Sequence, residues 1–400
     1  MIAALIFAGT YLVLAFGRLP FLRIDRTAAA VVGGILMVIA GVLPLDAAFQ
    51  AIDYRTIILL FGMMILIASL RLARFFRTTA RLVVTHVTHP AGLLVAVVFT
   101  SGILSALFVN DTICLVFTPI LVEIAITRRE NPAPYLLALM TSSNIGSVAT
   151  VTGNPQNMLI ASVSRLGYVE FSAALAPVAL IGLVLNAAIL VFIFRRDLHR
   201  HGPVPAGRGP RPIHRAMMVK TLAVTACVMA GFLVGWDPAL VAAGGAAALL
   251  VSRSVKPEKF YRGVDWNLLM LFIGLFVVVE GVEHAGLDAR FFALLQPVGI
   301  ATLPGLAAVA ALLSNLISNV PAVMLFTPLV PHLPDPRTSW LALAMASTLA
   351  GNLTLLGSIA NLIVLEAARR QGIRIGFVDH LKVGLPVTAA TLAFGLLWLS

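Results

Sequence analysis

Asparagine, threonine and serine residues interrupt hydrophobic stretches at matched places in the two halves of this chain. At the first pair of interruptions the chain reads Phe-Val-Asn-Asp-Thr over 108–112 and Ile-Ser-Asn-Val-Pro over 317–321. At the second pair it reads Gly-Asn-Pro-Gln-Asn over 153–157 and Gly-Ser-Ile-Ala-Asn over 357–361. Uncharged amides and hydroxyls can donate to an anion or offer oxygens to a cation. Paired interruptions of this kind are typical of the midplane solute site of a secondary transporter.

The candidate solute-binding residues are the polar residues and two glycines at these four interruptions. They are Asn110, Thr112, Asn144, Thr150, Gly153, Asn154 and Asn157 in the first half, and Ser318, Asn319, Asn352, Thr354, Gly357, Ser358 and Asn361 in the second. Any one of them alone is more often a packing or capping residue in a membrane helix. Four interruptions in matched positions favour a functional interpretation.

Several of these residues are also predicted to cap helices whose amino termini would face the solute. Asn154 precedes Pro155, which is tolerated at a first helical position, and Ser318 or Asn319 stands in the same relation to Pro321. Asn110 and Asp111 are expected to cap a helix that begins at Thr112. No catalytic residue is predicted.

Acidic residues within hydrophobic stretches are the candidates for ion coupling. Asp111 lies at the first interruption, where the second half has Val320, and it could bind a proton or sodium or only cap a helix. Glu280 is the second candidate, with a position at the membrane interface as the alternative. Asp53 and Asp265 are interpreted as structural caps. No His spacing suits a metal, so no cofactor or metal is expected beyond a coupling ion, H⁺ or Na⁺.

Long apolar stretches must position these residues, because the chain is 60% hydrophobic and 11% charged with a mean hydropathy of +1.00. The composition predicts an all-α polytopic membrane protein. Predicted crossings lie near 1–17, 27–44, 55–72, 134–164, 171–194, 216–235, 238–252, 264–282, 338–368 and 377–399. The segments 134–164 and 338–368 are predicted to be broken helices, and 91–127 and 301–330 helical hairpins that return to their starting side.

The net charge of +11 is interpreted as orienting the protein in the bilayer, not as a nucleic-acid site. With both termini outside, all but four of the 28 Lys and Arg residues fall on the cytoplasmic side of an inner membrane. Each half then has five crossings, so the repeat at 216–400 is predicted to be inverted relative to that at 1–194. The segment 195–215 is the predicted cytoplasmic linker.

Two motifs resemble the ion transporter superfamily of citrate and dicarboxylate symporters, arsenite permeases and sodium/proton antiporters, nearest its anion permease branch. They are Ser-Asn-Ile-Gly at 143–146 continuing to Gly-Asn-Pro-Gln-Asn at 153–157, and Val-Asn-Asp-Thr at 109–112. The resemblance implies re-entrant hairpins whose tips meet unwound helices at the solute, elevator-type movement, and a homodimer. The chain departs from sodium-coupled dicarboxylate members, which carry Ser-Asn-Thr at both tips, and has Asn154 where Asp is usual.

The sequence therefore predicts a secondary active transporter for a small anion or oxyanion, coupled to H⁺ or Na⁺. The alternative is an arsenite efflux permease that carries a neutral polar solute, while a sodium/proton antiporter is less favoured and a passive channel shares the same signals. An enzyme is not expected, because no hydrolase or metalloprotease motif occurs. A phosphate-binding loop is also absent from the sequence, although an ATPase on a separate subunit stays open.

Overall fold

The computed structural model describes residues 1–17, 24–87, 89–199, 215–251 and 255–400. Within these ranges the chain forms α-helices and short 3-10 turns with no β-strand, which confirms the all-α prediction. The predicted linker at 195–215 lies mostly outside the described residues. The structure therefore does not test it.

Ten helices form the part of the first half that the structure describes. They are α1 (Ile2–Phe16), α2 (Arg26–Ile39), α3 (Leu45–Gln50), α4 (Tyr54–Leu72), α5 (Phe75–His86), α6 (Pro90–Leu107), α7 (Asn110–Thr127), α8 (Ala133–Ser147), α9 (Pro155–Ser164) and α10 (Tyr168–Ile193). Asp53 accepts hydrogen bonds from the first amides of α4, as predicted for a structural cap.

Ten helices follow in the second half, over the ranges that the structure describes. They are α11 (Arg215–Val234), α12 (Pro238–Leu250), α13 (Pro257–Tyr261), α14 (Trp266–His284), α15 (Leu287–Leu295), α16 (Leu303–Ile317), α17 (Asn319–Phe326), α18 (Pro336–Leu349), α19 (Ile359–Arg369) and α20 (Phe377–Leu399). Asp265 caps α14 as Asp53 caps α4. The order of long and short helices thus repeats, while the inversion of one half relative to the other stays a prediction.

Seven helices of the described ranges are long and apolar enough to cross a bilayer: α4, α6, α7, α10, α11, α14 and α20. Four shorter helices, α1, α2, α12 and α16, are also apolar. Their exposed surfaces carry large hydrophobic side chains such as Leu5, Phe192 and Leu397, which lipid would cover. The protein is a multi-pass membrane protein.

Helices of opposite halves pack closely through small residues. Helix α4 packs on α12, where a β-carbon added to Gly62 would lie 2.7 Å from the carbonyl oxygen of Ala242. In the matching contact α14 packs on α2, and a β-carbon at Gly274 would lie 2.6 Å from the carbonyl oxygen of Ala30. Close backbone approach is how membrane helices gain packing energy without a hydrophobic driving force. The two halves therefore form one interlocked body.

The two predicted hairpins differ in length. Helices α6 and α7 have 18 residues each and are joined by residues 108–109, whereas α17 has 8 residues and follows α16 after Ser318 alone. At 1.5 Å per residue, α7 is about 27 Å long and α17 about 12 Å. Whether either hairpin returns to its starting side stays a prediction.

Candidate solute site

Each half contains one interrupted helix in the protein interior. Residues 148–154 separate α8 from α9, and residues 350–358 separate α18 from α19. Both separations contain 3-10 turns that leave peptide groups without helical partners. Within a membrane such groups must find partners in the protein. The side chains that supply these partners are the residues predicted from the repeat.

In the first break one asparagine holds the loop closed. The Asn157 Nδ2 donates to the carbonyl oxygens of Ser147 at 3.0 Å and Thr150 at 2.9 Å. The Asn154 Oδ1 accepts from the amide of Asn157 at 2.9 Å, so Asn154 caps α9 as predicted. Glycine is required at 153, because a β-carbon there would overlap the carbonyl oxygen of Ser147.

The second break repeats this arrangement 204 positions later. The Asn361 Nδ2 donates to the carbonyl oxygens of Gly351 at 2.7 Å and Thr354 at 3.2 Å. Ser358 takes the capping position and accepts from the amide of Ala360. We call Asn157 and Asn361 the clamp asparagines.

Asn315 of α16 braces the second break, although its sequence context did not select it as a candidate. Its Oδ1 accepts from the Thr354 hydroxyl at 2.9 Å, and its Nδ2 donates to the carbonyl oxygen of Ala350 at 2.8 Å. A β-carbon at Gly357 would lie 2.6 Å from that same Oδ1. In the first half, Thr150 donates instead to the backbone carbonyl of α6 at residue 106.

Asn144 of α8 joins the two halves. Its Oδ1 accepts from Asn110 Nδ2 and from the Ser358 hydroxyl, both at 3.0 Å. Its Nδ2 donates to Asn352 Oδ1 at 2.9 Å and to Asn361 Oδ1 at 3.3 Å. All five residues were predicted, and Asn144 is 1% exposed. We call this cluster the Asn144 hub.

Thr348 of α18 is the counterpart of Asn144 in the repeat and was not predicted. Its hydroxyl accepts from Asn154 Nδ2 and Gln156 Nε2, each at 3.1 Å. Each interrupted helix thus contacts the break of the opposite half. The offset of 204 that matches the clamp asparagines also matches Asn144 with Thr348, and this was the signal available in the sequence.

Five other predicted residues belong neither to the hub nor to the two breaks. The side chains of Thr112 and Asp111 lie half-buried at the start of α7, and Glu280 lies half-buried on α14. At the other tip Ser318 has φ 78° and ψ 159°, a conformation that residues other than glycine rarely adopt. Among the described residues, the buried Oδ1 of Asn319 has no hydrogen-bond partner.

The capping prediction at the first hairpin tip is wrong, and the one at the second tip is confirmed only for the position of Ser318. Helix α7 begins at Asn110, two residues earlier than predicted, and its cap, Val109, makes no side-chain hydrogen bond. The side chain of Asn110 does not cap the helix, and its Nδ2 donates instead to Asn144 Oδ1. Ser318 occupies the N-cap position of α17, but its side chain makes no capping hydrogen bond.

Neither break contains a charged residue over 141–157 or 347–361. The hydrogen-bonding capacity of the site therefore comes from side-chain amides, from hydroxyls and from peptide groups at the starts of α9 and α19. Helix amino termini carry partial positive charge and favour negative or strongly polar ligands. The arrangement can bind a small polar or singly charged solute without a counter-charge.

A scan against family models matches residues 11–350 to the citrate transporter family. This chain belongs to that family. The match covers both hairpins and the first break, and it stops at the start of the second break. The resemblance predicted from the motifs is confirmed, and the citrate-transporter-family protein is a membrane permease.

Relatives extend the similarity over nearly the whole chain. The silicon efflux transporter LSI3 of Oryza sativa is 32% identical, over 95% of this chain and 93% of its own length. The uncharacterized transporter Rv2684 of Mycobacterium tuberculosis is 31% identical, over 100% of this chain and 97% of its own. A transporter named arsB of Dictyostelium discoideum is 24% identical, over 94% and 87%.

One solved structure shares the fold. The YdaH transporter of Alcanivorax borkumensis superimposes with a TM-score of 0.62, covering 99% of the citrate-transporter-family chain and 95% of YdaH at 17% sequence identity. At that identity the likeness concerns the fold alone. It shows that the arrangement of helices is that of a known transporter.

Proposed function

We propose that this protein is a secondary active transporter for a small anion or oxyanion, coupled to H⁺ or Na⁺, with elevator-like alternating access. The observation that carries the proposal is the Asn144 hub, where both halves converge on uncharged hydrogen-bonding groups. Convergence of two repeats on one polar cluster is how a transporter builds a site that can face either side.

The absence of basic residues from both breaks in the sequence limits the charge of the solute. A tricarboxylate would bring three negative charges into a buried site without cationic partners, at a large desolvation cost. A solute with one charge, or with hydroxyl groups that donate as well as accept, fits the amides better. We therefore place the substrate among small oxyanions.

A neutral hydroxide is the second candidate, and an arsenite efflux permease is its concrete form. Carboxamides both donate and accept, which suits a solute with several hydroxyl groups. Two relatives are named a silicon efflux transporter and arsB. A proposed sodium/proton exchange is less favoured, since the breaks contain no carboxylate.

Uptake into proteoliposomes tests the proposal. Labelled succinate, citrate, sulfate, phosphate and arsenite would be offered under imposed proton or sodium gradients, with N110A and N319A beside the parent. N131A is the matched control, because Asn131 is an exposed loop residue that bonds only the amide of Ala133 in the described contacts. Accumulation of one solute by the parent and N131A, lost in the site variants, is the expected result. Mere equilibration would indicate a channel, and no flux of any solute would refute the proposal.

A further inference from the structure

A histidine outside the predicted site lies directly against the second break. His380 in the first turn of α20 is fully buried, at 0% exposure. Its Nε2 lies 3.0 Å from the carbonyl oxygen of Asn352. A buried ionisable side chain in a membrane protein is costly and is a functional candidate by default.

The geometry assigns the tautomer of this imidazole. A carbonyl oxygen only accepts hydrogen bonds, so Nε2 must carry a proton and donate it to Asn352. In the neutral ring Nδ1 is then an acceptor with a free lone pair. Among the described residues, this buried Nδ1 has no hydrogen-bond partner. It is the atom at which the ring can take up a second proton.

The histidine is connected to the Asn144 hub through one residue. Asn352 accepts from His380 with its backbone oxygen, while its side chain accepts from Asn144 and donates to the carbonyl oxygen of Thr141 at 3.2 Å. A β-carbon at Gly384 would overlap the same backbone oxygen, so glycine there lets α20 approach the break. A charge on the ring would therefore lie beside the polar cluster that we propose to bind solute.

The repeat shows that packing alone does not require an imidazole. Pro177 of α10 and Pro386 of α20 lie at the same position within their helices, 209 residues apart. That offset matches His380 with Phe171, which is also fully buried. The first half fills this position with an apolar ring, and only the second half has a group that can ionise.

Charged groups near α20 are engaged elsewhere in the described structure. Of the elements packed against it, α10 carries Glu170 and α18 carries Arg337, and these two pair with each other at 2.6 Å. On α20 itself Asp379 and Lys382 are mostly exposed and lie 4.0 Å apart. The helix α8 and the 3-10 turns of the second break carry no charged residue.

The tyrosines of the same elements are also occupied. Tyr135 of α8 donates to Glu130 at 2.5 Å, and Tyr168 of α10 lies 3.3 Å from the Thr152 hydroxyl. No charged or phenolic side chain among the described residues therefore bonds the imidazole of His380.

We propose that His380 is the proton-binding residue of the transport cycle. Its Nδ1 takes a proton from water on the side to which the site is open and releases it to water on the other side. The imidazolium supplies, beside the second break, the positive charge that the breaks themselves lack, and so favours an anionic solute while the proton is bound. This inference rests on the proposed function and names the proton as its coupling ion.

Burial of the ring suits this role. A proton site that reached both aqueous phases at once would dissipate the gradient, whereas a site closed to both is occluded between two openings. The ring is closed in the conformation described here.

Two substitutions separate proton binding from structure. H380Q retains a terminal amide that can donate to Asn352 but cannot take up a proton, and H380F installs the side chain of the first half. H284Q is the matched control, because His284 is an exposed residue at the end of α14. Each variant would be purified in detergent, and every one that elutes as a single folded species would be reconstituted with a pH indicator inside the vesicles.

Labelled phosphate and labelled arsenite are the probes, and two fluxes are measured for each. The first is exchange of labelled for unlabelled solute without any gradient, which tests the proposed function alone. The second is accumulation driven by a gradient of about two pH units, together with the change in internal pH. One proton per solute can support accumulation of up to about 100-fold under that gradient, since each pH unit is tenfold.

The parent and H284Q are expected to exchange and to accumulate solute with a change in internal pH. In H380Q and H380F accumulation is expected to fall to equilibration without a change in internal pH. Exchange of phosphate is expected to slow more than exchange of arsenite, because the positive charge of the imidazolium is lost beside the second break. Accumulation that persists in either folded variant, or that requires sodium in the parent, would overturn the role of His380 and leave the transporter proposal standing. Equal loss of phosphate and arsenite exchange in both folded variants would also overturn it, in favour of a structural contact. Absence of exchange in the parent would reject the proposed function itself.

Discussion

The two breaks use the same clamp but differ in what surrounds it. In the second break the Oδ1 of Asn361 accepts from Asn144, whereas the buried Oδ1 of Asn157 has no partner among the described residues. The hairpin tips differ in the same way, since Asn110 reaches Asn144 and the Oδ1 of Asn319 has no such partner. The matched motifs therefore make different side-chain hydrogen bonds in the two halves. The first half contributes Asn144 at the centre of the hub. Each half retains a buried carboxamide oxygen with no partner among the described residues, which a solute or ion could engage.

Removal of the hub is the strongest test of this comparison. N144A deletes four side-chain hydrogen bonds and leaves buried amides unpaired, at a cost of about 3 kcal/mol of unfolding free energy. We expect uptake to fall by roughly 10–100-fold, because loss of the hub should weaken solute binding by about 1.4–2.8 kcal/mol. Uptake and thermal unfolding in detergent are measured beside N131A. Equal activity in the two variants would show that the halves do not depend on Asn144.

Gly153 and Gly357 occupy equivalent positions in the two breaks but have different neighbours. In G153A the new methyl group overlaps a backbone carbonyl, which cannot move without opening the clamp. In G357A the methyl meets the side chain of Asn315, which can rotate. We expect a loss of about 2–3 kcal/mol for G153A and about 1 kcal/mol for G357A. Thermal unfolding of the pair checks the order, and the reverse order would contradict this account.

The strained tip of the second hairpin gives a smaller effect of opposite sign. S318G places glycine at φ 78° and ψ 159°, and we expect a gain of about 1 kcal/mol in stability. The equivalent change at the first tip, V109G, should destabilise, because Val109 has the ordinary φ of −49° and glycine adds only unfolded-state freedom. Denaturation of both variants would reveal whether strain is confined to one tip.

The smallest expected effect is at the entry to the second broken helix. Asp335 caps α18, whereas α8 begins after Pro132 without a side-chain cap. Hydrogen bonds from Thr338 lower the pKa of the Asp335 carboxyl. Its contribution is therefore present at neutral pH and lost as the pH falls through the lowered folded-state value. D335A should cost about 0.5–1 kcal/mol at pH 7, and the difference from the parent should vanish in acid. A difference that grows in acid would contradict the cap.

The sequence predicts the membrane class, the family and most members of the hub because these depend on local pattern. The spacing of Asn110, Asn144, Asn352 and Asn361 in two repeats was sufficient to select them. It could not show that Asn144 is the centre, because its partners in the second half lie 208 to 217 positions away and depend on how α8 faces that half. His380 was missed for the same reason, since a lone histidine in an apolar helix has no local signature.

The helix-capping errors have a different origin. Asn favours the N-cap over positions within the helix, so local propensity places the helix start after residues 110–111. The contact with Asn144 decides the position of Asn110, which is a tertiary effect that overrides the local preference. At Ser318 the backbone is held in a conformation that no residue type there would predict.

The close contact between Gly62 and Ala242 has a consequence for biosynthesis. The two residues are separated by 180 positions (242 − 62), which a ribosome adds in roughly 10–40 s at the usual elongation rates. During that interval α4 is already made while the helix that covers it has not been synthesised, and lipid or a membrane chaperone must occupy the surface. The N-terminal half therefore enters the membrane before its helix contacts are complete. Helix α4 can reach its final packing only after α12 has been synthesised.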